Sequence, residues 1–336
     1  MARLTILTQD EINDLYEIPS LDDDERSFLF ALDTDDIAVL DSFENNTACK
    51  VDYILQLGYY RAVNYFFLFS FQKVKADALF IMQLYFPEEL FPKKQVSKNH
   101  HYRNRYEVMN KFGLKDVDAD FQSQLFKEAK ALVKRHALSR FVLEGLLIYC
   151  QQQNFIRPAY SSLQDIVTTA LQEERNWLVN KLYTDADKDL RAELDKLLSN
   201  DELFYNLTLL KKDQKNFSTT EIKNSVAKQQ LVIGIYQKSQ TLMSKLGLSE
   251  QNIIYYANLA EFYTIQKLKR FTDKNLVRLY LLCYVYRRFL KINDHLVSSL
   301  IQKMTKYADD ANDYQRSKIE LIENVDSKLR NEHEIT

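Results

Sequence analysis

Glycine and proline are nearly missing: the 336-residue chain has five and four of them. So few breakers leave long helices uninterrupted and little material for tight strand-to-strand turns. Cysteine is scarce as well. Cys49, Cys150 and Cys283 are odd in number and far apart, which argues against a disulfide-built scaffold. No CxxC pair and no Cys/His pair at zinc-ligand spacing occurs, so the thiols read as free and mostly buried in a reducing cytoplasm. Long apolar runs are missing too. The most apolar stretch, Tyr59 to Phe71, is too short for a bilayer and holds Arg61 and Asn64. The opening Met1-Ala2-Arg3-Leu4 turns polar by Thr8, unlike a signal peptide. There is no Gly-rich phosphate loop, HExxH or nucleophile elbow. The expectation is a chain with no cofactor, no metal, no membrane and no small-molecule substrate.

Hydrophobic residues make up 46% of the chain and charged residues 27%, the proportions of a globular protein with enough length for two or three domains. The pattern predicts an all-α protein. Thr8-x-x-Glu11 has capping-box spacing and starts a helix to about Tyr16. Asp22 to Asp24 and Asp33 start two more, since helix N-termini favour carboxylates. A helix from about Thr47 runs into an aromatic segment. Others cover Val74 to Tyr85 and Lys98 to about Gly113, separated by a lysine- and proline-bearing loop. Phe121 to Gln153 is one long helix or two broken near His136. Helices follow from Ser161, from Asp185 and from Ser218 to Gly247, and two or three more cover residues 249–330. Boundaries near 117 and 245 divide the chain into 1–117, 118–245 and 246–336.

A net charge of −2 says nothing about nucleic acid, but its distribution does. Residues 1–46 are rich in carboxylates, with only Arg3 and Arg26 opposed to them. Residues 93–115 carry Lys93, Lys94, Lys98, Arg103, Arg105, Lys111 and Lys115 against Glu107. Phosphate binding needs several cations on one surface, because each neutralised phosphate releases condensed counterions. Helical spacing groups Lys98, His101 and Arg105 on one face, with Tyr102, Tyr106 and Met109 packing elsewhere. On charge alone the stretch suits a solvated helix face as well as a phosphate-binding one. His100 and His101 point about 100° apart on a helix, which suits surface contact better than shared metal ligation. Arg61 is either a buried, hydrogen-bonded arginine or a contact at a helix end. The acidic opening segment could cover the basic surface until DNA displaces it.

Several segments, in order, resemble the Tn-three family of replicative transposases. Leu4-Thr5-Ile6-Leu7-Thr8-x-x-Glu11 resembles the family's opening. Val51-Asp52-Tyr53-Ile54-Leu55-Gln56-Leu57-Gly58-Tyr59-Tyr60-Arg61 is similar to its apolar helix running into Gln-Leu-x-Tyr-x-Arg. Arg103 to Gly113 resembles its Arg-rich helix ending in glycine. Asn154-Phe155-Ile156-Arg157-Pro158-Ala159-Tyr160-Ser161-Ser162-Leu163, followed by Ile166 to Trp177, resembles its apolar-x-Pro-x-x-Ser/Thr-x-Leu junction. Leu207 to Lys211, then Ser218, looks like the next segment. Two features depart from the pattern: Ala62-Val63-Asn64 stands where the family has Pro-Gly, and Arg157 precedes the proline in place of an aliphatic residue.

The resemblance implies a bacterial, nucleoid-associated cytoplasmic protein. It implies binding of terminal inverted-repeat DNA by helical domains, the first helix-turn-helix-like, and self-association through the full-length transposase. It also implies that the RNase H-like domain with its Asp-Asp-Glu triad lies outside this chain, which is then not itself an enzyme. The DNA contacts would come from Lys50, Arg61, Lys93, Lys94, Lys98, His100, His101, Arg103 and Arg105, with Lys134, Arg135, Arg140 and Arg157 from the second region. The third region would be a helical scaffold toward the catalytic domain. The competing reading is a scaffold or protein–protein interaction module without DNA activity, which would expose a large apolar patch. A further alternative, an enzyme using paired carboxylates, needs convergent acids in a pocket.

Overall fold

A computed structural model describes residues 4–201 and 204–333. Arg3 and residues 334–336 lie outside the described residues. The described chain is all-α. Among the described residues it departs from this in an antiparallel pair of two-residue strands, β1 (Asn200–Asp201) and β2 (Phe204–Tyr205), and an isolated parallel bridge between Lys115 and Phe155. Residues cluster into two compact units, Met1–Glu174 and Arg175–Thr336.

The first unit opens with three short capped helices: α1 (Gln9–Tyr16), α2 (Asp23–Leu29) and α3 (Thr34–Asp41). Thr8, Asp22 and Asp33 each accept the N–H three residues on, and the side chain at that position reaches back to the cap N–H. These reciprocal bonds satisfy orphan N–H groups that a short helix cannot leave unpaired. The carboxylates of the opening segment are therefore mostly helix starters. Several also form ion pairs: Asp23 with Arg26, Asp33 and Asp36 with Lys111, and Glu11 with Arg140. Of the basic stretch 93–115, which the opening segment could cover, Lys111 alone is among these partners.

Helix α4 (Thr47–Val63) is central to the first core. Val51, Tyr53, Ile54, Leu55, Leu57 and Tyr59 are all buried, with Phe30, Ala78 and Ile81 packed in the same cluster. At Gly58 an added Cβ would fall within the Phe30 ring, so glycine lets α4 and that ring approach. Asn64 ends the helix in the left-handed region, φ 52°, and donates its N–H to the Tyr60 carbonyl at 2.8 Å. Asparagine tolerates that conformation, so the helix stops here without the Pro-Gly of the resembling family. Around α4 lie α5 (Lys75–Tyr85) and α6 (Lys98–Lys111), joined by the loop 86–97. Gly113, φ 61°, closes α6, with Leu114 N–H on the Met109 carbonyl at 2.8 Å.

A second core follows from α7 (Ala119–Arg135), α8 (Ser139–Gln152) and the start of α9 (Tyr160–Asp185). The break near His136 is real: His136 to Leu138 form a three-residue connection, with His136 and Leu138 in extended backbone. Leu7 is buried in this second core, with Ile6, Ile12 and Leu15 packed against it. Tyr160 Oη accepts the N–H groups of Ile6 and Leu7, and Tyr16 Oη donates to the Pro158 carbonyl. The opening segment and α1 thus join residues beyond 117. Lys115 also exchanges backbone bonds with Asn154 and Ile156 across that point. The unit division falls inside α9, between Glu174 and Arg175, where a continuous helix gives the sequence no mark of it.

The second unit contains α10 (Lys188–Lys196), the strand pair, α11 (Asn206–Lys211), α12 (Thr219–Leu246), α13 (Glu250–Phe262), α14 (Ile265–Arg270) and α15 (Lys274–His333). Ser218 caps α12, and Gly247 ends it at φ 58°. The buried first half of α15 packs against α12 and α13. Among the described residues, no helix is long and apolar enough to cross a membrane.

Candidate nucleic-acid interface

Helix α6 has a sharply two-sided surface. His101, Asn104, Val108 and Met109 are buried, while Lys98, Asn99, Tyr102, Arg103, Tyr106 and Asn110 are exposed. The rotation is set by a buried polar network with α4. His101 Nδ1 donates to Asp52 Oδ1 at 2.8 Å, and Asn104 Nδ2 donates to Asp52 Oδ2 at 2.8 Å and to the Cys49 carbonyl at 3.0 Å. Gln56 Nε2 completes it, donating to Asp52 Oδ2 at 2.8 Å and to the His101 carbonyl at 3.0 Å. A fully buried carboxylate with several donors is satisfied only in one geometry, so α6 cannot roll without breaking several bonds together.

Two expectations are corrected by this arrangement. His101 is not a surface contact; it packs edge-on to Phe69 and holds α6 to α4. Lys98, His101 and Arg105 do not share an exposed face, and Tyr102 and Tyr106 point outward at 52% and 60% exposure. Charge and period alone assign polar residues to the outside. Asp52, some fifty positions earlier on α4, reverses that assignment for His101 and Asn104.

The other nominated residues fall into three groups. Lys93, Lys94, Lys98, His100 and Arg103 are exposed on α6 and the loop before it. Ser97 caps α6 and its Oγ lies 3.0 Å from His100 Nδ1. Lys50, half-buried on α4, lies over the Phe86 ring, and Arg103 over the Phe43 ring. The Asn104–Cys49 bond brings this part of α4 against α6.

A second group is committed to holding the fold. Arg61 donates to the carbonyls of Leu29 and Ala31 and pairs with Asp36 at 3.4 Å. It therefore clasps the α2–α3 connection, the first of its two sequence readings. Arg140 pairs with Glu11 at 2.7 Å and Glu144 at 2.8 Å. Arg157 donates to the Leu15 carbonyl at 2.9 Å and lies over the Tyr16 ring, tying α1 to the second core.

The third group lies elsewhere in the unit. Lys134 and Arg135 are exposed at the end of α7. Arg105 pairs weakly with Asp116 at 3.3 Å and lies over the Phe66 ring. Arg105 and Arg157 both line a cleft of about 400 Å³ with Tyr65, Phe66, Gln122 and Ser162. Two guanidiniums lining one cleft make it positively charged, apart from the exposed face of α6.

Sequence reasoning missed Tyr102, Tyr106, Asn99 and Asn110. Their signal was the complement of the buried 101, 104 and 108 positions, and it needed the inward polar residues to be recognised first. The chemistry of the exposed face is contact chemistry. Lysine and arginine suit phosphates, and asparagine and tyrosine can bond phosphate, sugar or base edges. Thiol chemistry is disfavoured, since burial pushes the Cys150 thiol up to about 11 and raises that of Cys49. Among the described residues, no His, Cys, Asp and Glu groups converge to hold a metal ion.

The helix carrying this face follows the twelve-residue loop 86–97, not a tight turn. Short connections occur at residues 30–33, between the acidic α2 and α3, and at 136–138, between α7 and α8.

Residues 6–170 match a family model described as a domain of unknown function, DUF4158. The match covers nearly all of the first compact unit and none of the second. No curated protein matches the chain.

Proposed function

We propose that the first unit binds double-stranded DNA through the outer face of α6 and the loop before it, as the end-recognising region of a replicative transposase. One observation carries the DNA part. Lys93, Lys94, Lys98 and Arg103 are all exposed within one loop and the helix that follows it, with no ion pair among the described residues, whereas Arg26, Arg61, Lys111, Lys130 and Arg140 are each matched to carboxylates. Uncompensated cations beside exposed tyrosines and asparagines favour a polyanion with groups to read. The transposase part rests on the ordered resemblance of the segments between Leu4 and Ser218. The three-residue connection at 136–138 fits a helix-turn-helix-like role for α7 and α8, with Lys134 and Arg135 beside it.

The test is a salt titration of the full chain on duplex DNA, comparing a transposon terminal repeat with a scrambled duplex. Tighter, salt-sensitive binding to the repeat is expected. Lys98→Ala and Arg103→Ala should each lower the salt slope by about one for every phosphate that the side chain neutralises. Unchanged affinity and slope in both variants would remove α6 from the interface. The second reading, an interaction module, has its own observation in the exposed apolar residues of α15. A folded chain that binds neither duplex at low salt would leave that reading standing alone.

A further inference from the structure

Helix α15 changes partners along its length. In its first part Leu281, Val285, Arg288, Ile292 and Ser299 are buried. Continued at the same helical spacing, that face meets Lys303, Lys306, Asp310 and Asp313. The apolar face within the unit therefore ends in charge. A second stripe begins at this point, turned about a quarter-turn around the helix axis. It runs Val297, Leu300, Met304, Tyr307, Ala311, Tyr314, Lys318, Leu321 and Val325, alternately three and four residues apart. Its seven large apolar members are 50–69% exposed.

The spacing is that of a coiled-coil seam, kept over four heptads. It spans roughly 43 Å at 1.5 Å per residue, open to solvent along that length. An isolated helical extension with this stripe in water would leave its apolar surface unburied and its helix marginal. From this the geometry points to one occupant: the same stripe of a second copy of the chain. A seam of alternating three and four spacing is complementary to itself, each knob entering a hole of a like helix.

The flanking positions favour no charged partner of another kind. Ile301, Ala308, Gln315 and Ile322 lie on one side, and Lys303, Asp310, Ser317 and Asn324 on the other, so little charge is available to select a foreign helix. Two copies would withdraw on the order of 1,400 Å² of surface, within the usual ~1,200–2,000 Å² of a specific interface. Lys318 is the one charged residue in the seam. It costs stability there, and it makes the pairing reversible.

Sedimentation equilibrium of the full chain from about 1 to about 100 μM tests this. A concentration-dependent monomer–dimer equilibrium is expected. Leu300→Glu combined with Met304→Glu should leave only monomer. Lys318→Leu, a change at an exposed position, should tighten the dimer by about tenfold or more, since it replaces the buried charge with a fitting side chain. Only monomer in both the wild type and Lys318→Leu would overturn the proposal. So would a dimer that survives the double glutamate variant, because it would be using another surface. The readout is mass alone, so it succeeds or fails independently of DNA binding.

Discussion

The core around α4 buries Asp36, Asp52, Gln56, Asp77, His101 and Asn104 among its apolar side chains. Among the described residues, the core of α7, α8 and the start of α9 buries apolar side chains alone. Both exclude water, but they specify structure differently. Apolar packing is non-directional, and a helix can roll or shift within it at modest cost. A buried carboxylate with several donors permits one arrangement. Tyr53 Oη donates to Asp36 at 2.8 Å and Tyr59 Oη to Asp77 at 2.6 Å, while Arg26 Nε meets Asp77 at 2.8 Å. The first core is thus the one whose polar bonds fix how a surface helix is turned, and α6 is the helix it orients.

The sharpest way to break this contrast is Asp52→Ala. It removes one acceptor from three buried donors, so the expected loss is about 3–5 kcal/mol of stability, seen as a lowered urea midpoint. It should also weaken DNA binding by unseating α6. Leu146→Ala, in the apolar core, should cost about 2–5 kcal/mol, yet leave the salt slope of DNA binding unchanged in the folded protein. Reversed effects on DNA binding would sink the claim that the polar network positions α6. A smaller loss, about 1–3 kcal/mol, is expected from Gly58→Ala, because the added methyl meets an aromatic ring with little room to move.

The smallest effect lies at the surface. Lys111 first, and the Asp36 N–H next, hold the Asp33 carboxyl down to about 2, below its ordinary 3.8. A lowered folded value stabilises the protein above the unfolded pKa, and the gain disappears as pH falls through the folded one. The melting temperature of the wild type should therefore fall between about pH 4 and pH 2, with a slightly shallower fall in Asp33→Asn. Parallel curves would mean that the Asp33–Lys111 pair adds no measurable stability.

Much of the fold was legible in the chain, for a local reason. Thr8, Asp22, Asp33 and Ser218 start helices, and Gly113 and Gly247 end them, because caps are settled by residues within one turn. The break between α7 and α8 was open on pattern alone and is settled by the extended backbone at His136. The basic stretch was visible as charge, and Lys93, Lys94, Lys98, His100 and Arg103 do lie on exposed positions. His101 and Arg157 were not separable from them by sequence, and Arg61 was left between a buried and a contact role. Each is committed by a group distant in the chain: the Leu29 and Ala31 carbonyls, Asp52, and the Leu15 carbonyl.

By itself, then, the sequence determined the helical class, most helix starts and stops, and the places where positive charge concentrates. These depend on backbone propensity, caps and composition, which act over a few residues. Only the tertiary structure decided which side of α6 faces water, that α1 belongs with the second core, and that the apolar stripe of α15 changes face after Ser299. Those outcomes depend on contacts between residues tens of positions apart, and no helical period contains them.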